Sequence, residues 1–370
     1  MKKILGILCL VLAACIQTSQ AATPAPVKGY IVVFKDSVGS VPDVANEMAK
    51  QHAFKVDRTY GVALKGFTAK MPAAVLDKVK ADARVQYVEE DVEASALGIS
   101  ETFITNSLLA IDCSTQPLQK IDYGVKRVGG GITTSNHIAW IIDTGIDLVS
   151  CDLNIDLMRS KNFVPLETSP QDKNGHGTHV AGIIAAKNNG IGTVGVTPDT
   201  RVVAVRVLGA TGTGASSTIL AGVDYVAKSG TAGDVVNMSL GFAGHLQSYH
   251  DAINKTANLG IFFAISAGNS AANTAGYEPA HVENSRVFTV SAISSTDTFA
   301  SFSNWGNPPV DFAAPGMSIL STKMGGGTMY MSGTSMAAPH VAGLLLLGVV
   351  HTDKYAIGDP DGNPDPIAHN

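Results

Sequence analysis

The sequence predicts an α/β fold, a mostly parallel β-sheet with helices on both faces, preceded by a small α+β domain. The main evidence is that apolar, β-branched segments alternate with helical ones from about residue 119 onward. Strand-like segments lie at 137–142, 201–207, 235–238, 261–265 and 286–290, and helical ones near 177–186, 217–228 and 248–258. Because these strands lack polar alternation, we expect helices to cover both faces of the sheet.

Composition supports two well-buried domains. The chain has 370 residues, of which 45% are hydrophobic and only 15% charged, and this balance is typical of a large core rather than of disorder. The formal net charge is −5 and there is no long basic run, so we expect no nucleic-acid partner. We also expect a monomer.

The N-terminus is typical of an export signal. Lys2 and Lys3 precede an apolar run at 4–16 that is too short to span a bilayer, and small residues follow up to Ala21. We therefore predict a signal peptide at 1–21. Two alternatives stay open, a buried first helix and a lipoprotein box at 12–15 that would place a lipid anchor on Cys15.

Residues 28–93 form the first predicted domain. The pattern gives strands at 30–34, 62–71 and 85–89, with helices at 41–52 and 73–81, which suits a two-layer α+β unit. Residues 94–118 have no clear period and are interpreted as a linker or processing region. The second domain is predicted at 119–370.

Four cysteines occur, and two of them, Cys9 and Cys15, lie in the predicted signal. The pair that remains, Cys113 and Cys151, would form a disulfide in an exported protein. The alternative is two separate buried thiols.

Four polar residues stand at the ends of predicted elements. Asp143 directly follows one strand and Asn269 follows another, while His176 and Ser335 each open a helix. Reactive groups in such folds gather beyond the carboxyl ends of the strands, so we expect the four to meet at one edge of the sheet. Their types fit acyl transfer. A histidine base activates a serine, a carboxylate orients the histidine, and an amide stabilises the oxyanion.

Each signal is weak alone, but three long motifs occur in order. They are IIDTGID at 141–147, NGHGTHVAG at 174–182 and GTSMAAPHVAG at 333–343. With them the chain resembles the subtilisin-like serine proteases, the subtilases, over about residues 119–350. Some segments look like the proteinase K branch. His176 and His179 could also suggest a metal site, but no further convergent ligand is evident.

The resemblance implies a role for each residue and a function for the chain. Asp143 would be the orienting acid, His176 the general base, Ser335 the nucleophile and Asn269 the oxyanion donor. The chain would be a secreted serine endopeptidase that hydrolyses peptide bonds in proteins through an acyl-enzyme. The first domain resembles the family's ferredoxin-like inhibitory propeptide, with self-cleavage between Asp91 and Gln119 and near Leu97.

The resemblance also implies where substrates would bind. Peptide substrates would add a strand between two segments of the cleft, and small residues would leave the main pocket open and uncharged. We therefore expect a broad preference for apolar or aromatic residues. The implied substrate-binding residues are Ser239, Leu240, Gly241, Gly212, Thr213, Gly214, Ala267 and Gly268.

A structural calcium ion is implied as well, since the segment at 187–193 resembles a subtilisin calcium loop. Oxygen ligands of this number suit calcium. A plain loop without an ion is the alternative. The implied ligands are the side chains of Gln119, Asp152 and Asn189 and the carbonyls of Lys187, Ile191 and Thr193.

Two other functions fit the sequence less well. A binding protein on the same fold would lack part of the catalytic set, but all four positions are filled. A lipase or esterase would place serine in a Gly-x-Ser-x-Gly turn, with acid and histidine following it. Here the order is Asp, His, Ser, which excludes that class.

Overall fold

The computed structural model describes residues 26–100, 111–132 and 134–370. The predicted signal peptide at 1–21, with Cys15, lies outside these residues, as does 101–110 of the predicted linker. Among the helices in the described ranges, none is both long and apolar enough to cross a membrane.

The N-terminal domain is an α+β unit with two helices, as predicted, but its antiparallel sheet has four strands where three were predicted. Lys55–Tyr60 is the additional strand, and the strand predicted at 62–71 begins only at Gly66. The strand order is β2 (Lys55–Tyr60), β3 (Gly66–Pro72), β1 (Val27–Phe34) and β4 (Val85–Glu90). Its core includes Val32, Phe34, Met48 and Phe67, all nearly inaccessible to solvent. The elements are β1 (Val27–Phe34), α1 (Val41–His52), β2 (Lys55–Tyr60), β3 (Gly66–Pro72), α2 (Ala73–Lys80) and β4 (Val85–Glu90).

The larger domain holds five further helices and seventeen further strands in the described residues, counting the two short strands β5 and β6 that lead into it. The helices are α3 (Tyr123–Arg127), α4 (His176–Ala185), α5 (Ser216–Ser229), α6 (Gln247–Ala257) and α7 (Thr334–Leu347). The strands are β5 (Glu93–Ala96), β6 (Ile99–Ser100), β7 (Ala139–Asp143), β8 (Asn154–Ile155), β9 (Lys161–Asn162), β10 (Arg201–Arg206), β11 (Thr213–Ala215), β12 (Val235–Met238), β13 (Leu240–Ala243), β14 (Phe262–Ser266), β15 (Tyr277–Glu278), β16 (Val287–Ile293), β17 (Val310–Pro315), β18 (Ile319–Thr322), β19 (Thr328–Ser332), β20 (His351–Tyr355) and β21 (Pro366–His369).

The main sheet has the order β20-β21-β17-β16-β14-β12-β7-β10-β8, with β9 also beside β10. Every pair in it is parallel except β20–β21, so the mostly parallel sheet is confirmed. Parallel strands end at the same edge of a sheet. The carboxyl ends of β7 and β14 therefore lie on one side of the sheet, where Asp143 ends β7 and Asn269 follows β14.

Helices cover both faces of the main sheet, and successive residues of a strand point alternately into the two cores. Trp140 and Ile142 of β7 pack in the core that contains α5 and α6. Ala139 and Ile141 pack in the opposite core, with α4 and α7. The side chains of successive strand residues point to opposite faces, so an unbroken apolar run is what a sheet covered on both sides requires.

The N-terminal domain packs on the outside of α5 and α6. Ile31, Tyr60 and Leu64 belong to the same buried core as these two helices. Two carboxylates of this domain accept hydrogen bonds from backbone N–H groups at the starts of α5 and α6. Glu89 accepts from Gln247 and Ser248 at 2.6 and 3.1 Å, and Asp91 accepts from Ser217 at 2.8 Å. Negative charge is favoured at a helix N-terminus, so both contacts stabilise the docking.

Beyond α7 the chain forms β20 and β21 rather than another helix. Ile367 of β21 is fully buried beside Ala313 of β17, while β20 is exposed along its length. Elsewhere, Cys113 and Cys151 form the expected disulfide. It joins the start of the larger domain to the loop after β7.

Candidate active site

The structure brings together the two residues predicted to act as acid and base. Asp143 ends β7, His176 begins α4, and both side chains are almost fully buried. His176 Nδ1 lies 2.9 Å from both carboxylate oxygens of Asp143. Burial alone would lower the pKa of His176, but the nearby Asp143 charge and hydrogen bond outweigh burial and raise it. The carboxylate therefore fixes the ring and favours its cation.

A buried carboxylate that the sequence reasoning missed, Asp172, orders the turn before α4. Its Oδ1 accepts from the N–H groups of Asn174 and Gly175, each at 2.9 Å, and from the Thr144 hydroxyl at the same distance. Its Oδ2 accepts from Thr178. Since Thr144 adjoins Asp143, this one side chain ties the turn after β7 to the start of α4.

Asn269 follows β14 and is oriented by Thr334, the residue before Ser335. The N–H and hydroxyl of Thr334 both donate to Asn269 Oδ1 at 2.9 Å. Because its oxygen is held in this way, the Nδ2 group of Asn269 points the other way, toward the carbonyl of Leu97, to which it donates. That placement is the one an oxyanion donor requires.

Ser335 lies in the first turn of α7 and is fully buried. Its hydroxyl donates to the carbonyl of Ser239 at 3.1 Å, and the Ser239 hydroxyl donates to the Ser335 carbonyl at 2.9 Å. His176 Nε2 has no hydrogen-bond partner among the described residues. In this structure the Ser335 hydroxyl and His176 are therefore not hydrogen-bonded to each other.

The segment after the N-terminal domain lies in the cleft as an extra strand. β5 pairs antiparallel with β11 on one side and β13 on the other, and Ser95 lies opposite both Thr213 and Gly241. Two further hydrogen bonds hold this segment in the cleft. The N–H of Ala96 donates to the Gly212 carbonyl at 2.9 Å, and the N–H of Leu97 donates to the Ser239 carbonyl at 3.2 Å. The structure thus gathers the predicted cleft residues around one peptide.

Past Leu97 the chain continues across the predicted catalytic residues. A Cβ on Gly98 would lie 2.6 Å from Cδ2 and 2.8 Å from Nε2 of His176, so only glycine fits over the ring. A Cβ on Gly333 would lie 2.5 Å from the Leu97 carbonyl oxygen. Further on, β6 pairs with β19. The bond from Leu97 to Gly98 therefore passes between His176 and Asn269.

A pocket of about 240 Å³ lies beside Leu97. Ala267 and Gly268 line it, as predicted, together with Gly241. Its wall also contains Glu278, a fully buried carboxylate that the sequence reasoning did not single out. The lining is therefore not free of ionisable groups, although one oxygen of Glu278 is taken by the N–H of Leu246 at 3.0 Å.

The six predicted calcium ligands lie on three segments that the fold brings side by side, around 119, around 152 and at 187–193. Single bridges between Leu118 and Ile191 and between Lys120 and Thr193 hold the segment around Gln119 beside 187–193. Asp152 is nearly buried, and its Oδ2 accepts from the N–H of Thr193 at 3.0 Å. The N–H of Lys187 donates to the Asp152 carbonyl at 2.9 Å, and Asn189 Oδ1 accepts from the N–H of Ile191 at 3.1 Å.

The donor set fits a hard cation. Asp152 Oδ1 is buried without a partner, and burial raises the pKa of Asp152 to about 7. A buried, unpaired carboxylate is costly unless a cation or proton neutralises it. Gln119 Oε1 accepts from the N–H of Gly190 at 2.7 Å, so it would have to turn to act as a ligand.

Comparison with known proteins points in one direction. The profile of the Subtilase family matches residues 137–353, and that of Peptidase inhibitor I9 matches residues 29–96. The chain is 34% identical to Alkaline serine exoprotease A of Vibrio alginolyticus over 86% of its length, spanning 60% of that protein. It is 38% identical to Subtilisin-like serine protease AsES of Sarocladium strictum over 92% of its length and 89% of that protein.

Against three further bacterial proteases the chain spans only 50% to 66% of their lengths. A solved structure, a cold-adapted subtilisin-like serine proteinase, aligns with a TM-score of 0.58 at 31% identity. That alignment covers 67% of this chain and 97% of the other. The family match, the fold and the geometry agree, and the chain belongs to the subtilase family, with an I9-type inhibitor domain before the peptidase domain.

Proposed function

We propose that this chain is the precursor of an exported serine endopeptidase that cleaves itself between Leu97 and Gly98. The observation that carries the proposal is the peptide in the cleft. Its Leu97 carbonyl accepts a hydrogen bond from Asn269, and its backbone pairs on both sides like a bound substrate. The N-terminal domain, by holding this strand in place, acts as an intramolecular inhibitor.

In the proposed reaction His176 removes the proton from Ser335 Oγ as that oxygen attacks the Leu97 carbonyl carbon. For this the hydroxyl turns from the Ser239 carbonyl to His176 Nε2, which has no other described partner. The C–N bond then breaks, His176 gives its proton to the Gly98 nitrogen, and Leu97 remains as an ester on Ser335. Water, activated by the same histidine, hydrolyses the ester.

Asn269 and the backbone N–H of Ser335 would stabilise the negative oxygen that forms during each attack. Loss of one such donor typically costs about 10²- to 10³-fold in rate. In later turnovers a protein substrate would take the place of residues 94–97. Leu97 beside the pocket suggests apolar residues there, in line with the expected broad preference for apolar or aromatic side chains. Attachment of a lipid at Cys15 has no support from the relatives and is not part of the proposal.

The direct test is Ser335→Ala in the full-length precursor. We expect no self-cleavage and a fall in peptide hydrolysis of about 10⁶-fold, which is the size of the loss when a subtilisin is deprived of its nucleophile. Mass spectrometry and N-terminal sequencing of the wild-type product should give a mature chain that starts at Gly98. Ser295→Ala, at an exposed serine, is the matched control. Self-cleavage by the Ser335→Ala protein would refute the proposal.

A structural calcium ion at Gln119, Asp152 and 187–193 is part of the same proposal. When bound, it supplies charge that neutralises Asp152 and joins the N-terminal segment of the peptidase domain to the loop after α4. No step of the reaction depends on it.

A further inference from the structure

Three histidines and a glutamate meet beside the substrate pocket, outside the proposed catalytic residues. They are His245, in the connection from β13 to α6, His250 in α6, Glu278 at the end of β15, and His281 just after it. We call these four residues the His–Glu cluster. One side-chain ligand atom from each lies within 4.8 Å of every other.

The spacings in the His–Glu cluster match the edges of a metal tetrahedron. His281 Nε2 lies 3.1 Å from both His245 Nδ1 and His250 Nε2. Glu278 Oε1 lies 3.3, 3.0 and 3.7 Å from the nitrogens of His245, His250 and His281. Zinc bonds of about 2.0–2.1 Å at tetrahedral angles give ligand separations of about 3.3 Å.

The surroundings orient one of these groups as a ligand and leave an oxygen of another unpaired. His281 Nδ1 lies 2.9 Å from the Tyr277 carbonyl and donates to it, so the lone pair of this ring is on Nε2, which faces the cluster. A hydrogen bond of this kind on the outer nitrogen is the usual support for a metal-binding histidine. Glu278 is fully buried, and its Oε2 has no partner among the described residues.

Charge also favours a cation. The ion-pair partners of Glu278 within the described residues are the three histidines alone, with no lysine or arginine. A buried carboxylate is costly without a neutralising charge, which a bound cation or a protonated histidine must supply. His245 has 58% of its side chain exposed, so the cluster is reachable from solvent.

We propose that the His–Glu cluster binds one divalent transition-metal ion, zinc being the ion that three imidazoles and a carboxylate suit best. This site is distinct from the calcium loop, whose donors are all oxygen. The position of the His–Glu cluster indicates a structural role for the ion. Glu278 pairs with Phe242 of β13 and lines the substrate pocket, whereas His250 belongs to α6, on which the N-terminal domain docks. The ion would fasten the pocket wall to that helix.

Metal binding can be measured without any peptidase activity, so its outcome is separate from that of the proposed function. Untagged Ser335→Ala precursor would be stripped with chelator, returned to buffer with calcium, and titrated with Zn²⁺ or Co²⁺. We expect one equivalent of either ion and, for Co²⁺, the intense visible bands of a four-coordinate site. Zn²⁺ should also raise the melting temperature, because binding to the folded state alone stabilises it.

His245→Ala and His281→Ala should weaken Zn²⁺ binding by at least about tenfold and remove the Co²⁺ bands. His351→Ala, at an exposed histidine far along the chain, is the matched control and should change neither. The side chain of His245 is exposed, so the His245→Ala protein should fold even if the His281→Ala protein does not. Failure to bind an equivalent of zinc, or equal binding by wild type and His245→Ala, would overturn the proposal.

Discussion

At the residue scale, the protonation of His176 would decide whether Ser335 is activated in the proposed reaction. The Asp143 carboxylate raises the pKa of His176 above its ordinary value of 6.5 even though the ring is buried. The two other buried histidines nearby behave in the opposite way. Burial lowers the pKa of His179 to about 3 and that of His340 to about 4, so both stay neutral at any pH where the protein would work.

The activity of the mature protein should therefore fall with decreasing pH around a midpoint above 6.5. Only neutral His176 can accept the serine proton, and its raised pKa means that the cation persists to higher pH. The measurement is kcat/KM for a small peptide substrate between pH 5 and 9. His351→Gln, at an exposed histidine outside both proposed sites, is the control and should leave the midpoint in place. A wild-type midpoint at or below 6.5 would contradict this assignment.

The sequence predicted Asp143, His176 and Ser335 because each lies in a long motif, and Asn269 because it follows a predicted strand. It did not predict Asp172 or Glu278, whose roles depend on contacts between distant segments. In the sequence Asp172 is an ordinary aspartate in a polar loop, and only the fold brings the Thr144 hydroxyl within hydrogen-bonding distance of it. The His–Glu cluster was missed for the same reason, since its members are spread over 245–281 without a spacing typical of a metal motif.

At the scale of elements, the starts of α5 and α6 are where the N-terminal domain is held. Asp91 accepts from the Ser216 and Ser217 hydroxyls as well as the Ser217 N–H, and Glu89 accepts from two N–H groups of α6. Each carboxylate thus satisfies donors that a helix leaves unpaired at its first turn.

Glu89→Ala and Asp91→Ala should each weaken inhibition by the cleaved N-terminal domain. Loss of a cap and of its charge costs about 1–2 kcal/mol, which corresponds to about 5- to 30-fold in the inhibition constant. The measurement is the delay between self-cleavage and the appearance of peptidase activity, which should shorten. Glu93→Ala, at an exposed residue of β5, is the control. Equal delays in all three variants would show that the caps do not matter.

The calcium loop allows a second prediction at this scale. Chelation should lower the melting temperature of the mature protein, and Asp152→Asn should abolish most of that difference. Without the ion, burial raises the pKa of Asp152 to about 7, so protons compete with calcium for this carboxylate. The stabilising effect of calcium should therefore diminish as the pH falls below 7. Asp199→Asn, at an exposed position, should respond to chelator like the wild type. An unchanged melting temperature with EDTA would remove the calcium proposal.

At the scale of the whole molecule, the sequence predicted both layers of helices and the order of the domains, because uniformly apolar strands can only be buried on two sides. Self-cleavage near Leu97 was predicted only from the resemblance to the subtilases. The pairing of β5 with β11 and β13 could not be predicted, since residues 94–97 carry no pattern and become a strand only between two edges that already exist. The C-terminal strands were also missed, because their surroundings are rich in proline and aspartate.

The disulfide between Cys113 and Cys151 should contribute to the stability of the whole larger domain. It closes a segment with a sequence separation of 38. The chain-entropy model gives about 4 kcal/mol for a loop of this size, and its loss should lower the melting temperature on the order of 10 °C. The test compares wild type with the Cys113→Ser/Cys151→Ser double variant. A reducing agent should destabilise only the wild type, and an equal effect on both proteins would contradict the prediction.

The same disulfide has a consequence for the order of events after cleavage. In the proposed reaction the amine product begins at Gly98, and it stays covalently attached to the body about 15 residues later, at Cys113. A tether of this length typically keeps a group at millimolar effective concentration. The new N-terminus therefore competes with water for the ester on Ser335 and can restore the bond just broken. Cleavage is therefore readily reversed until the new N-terminus leaves the β19 side of the cleft, and a foreign substrate can bind only after residues 94–97 have left as well.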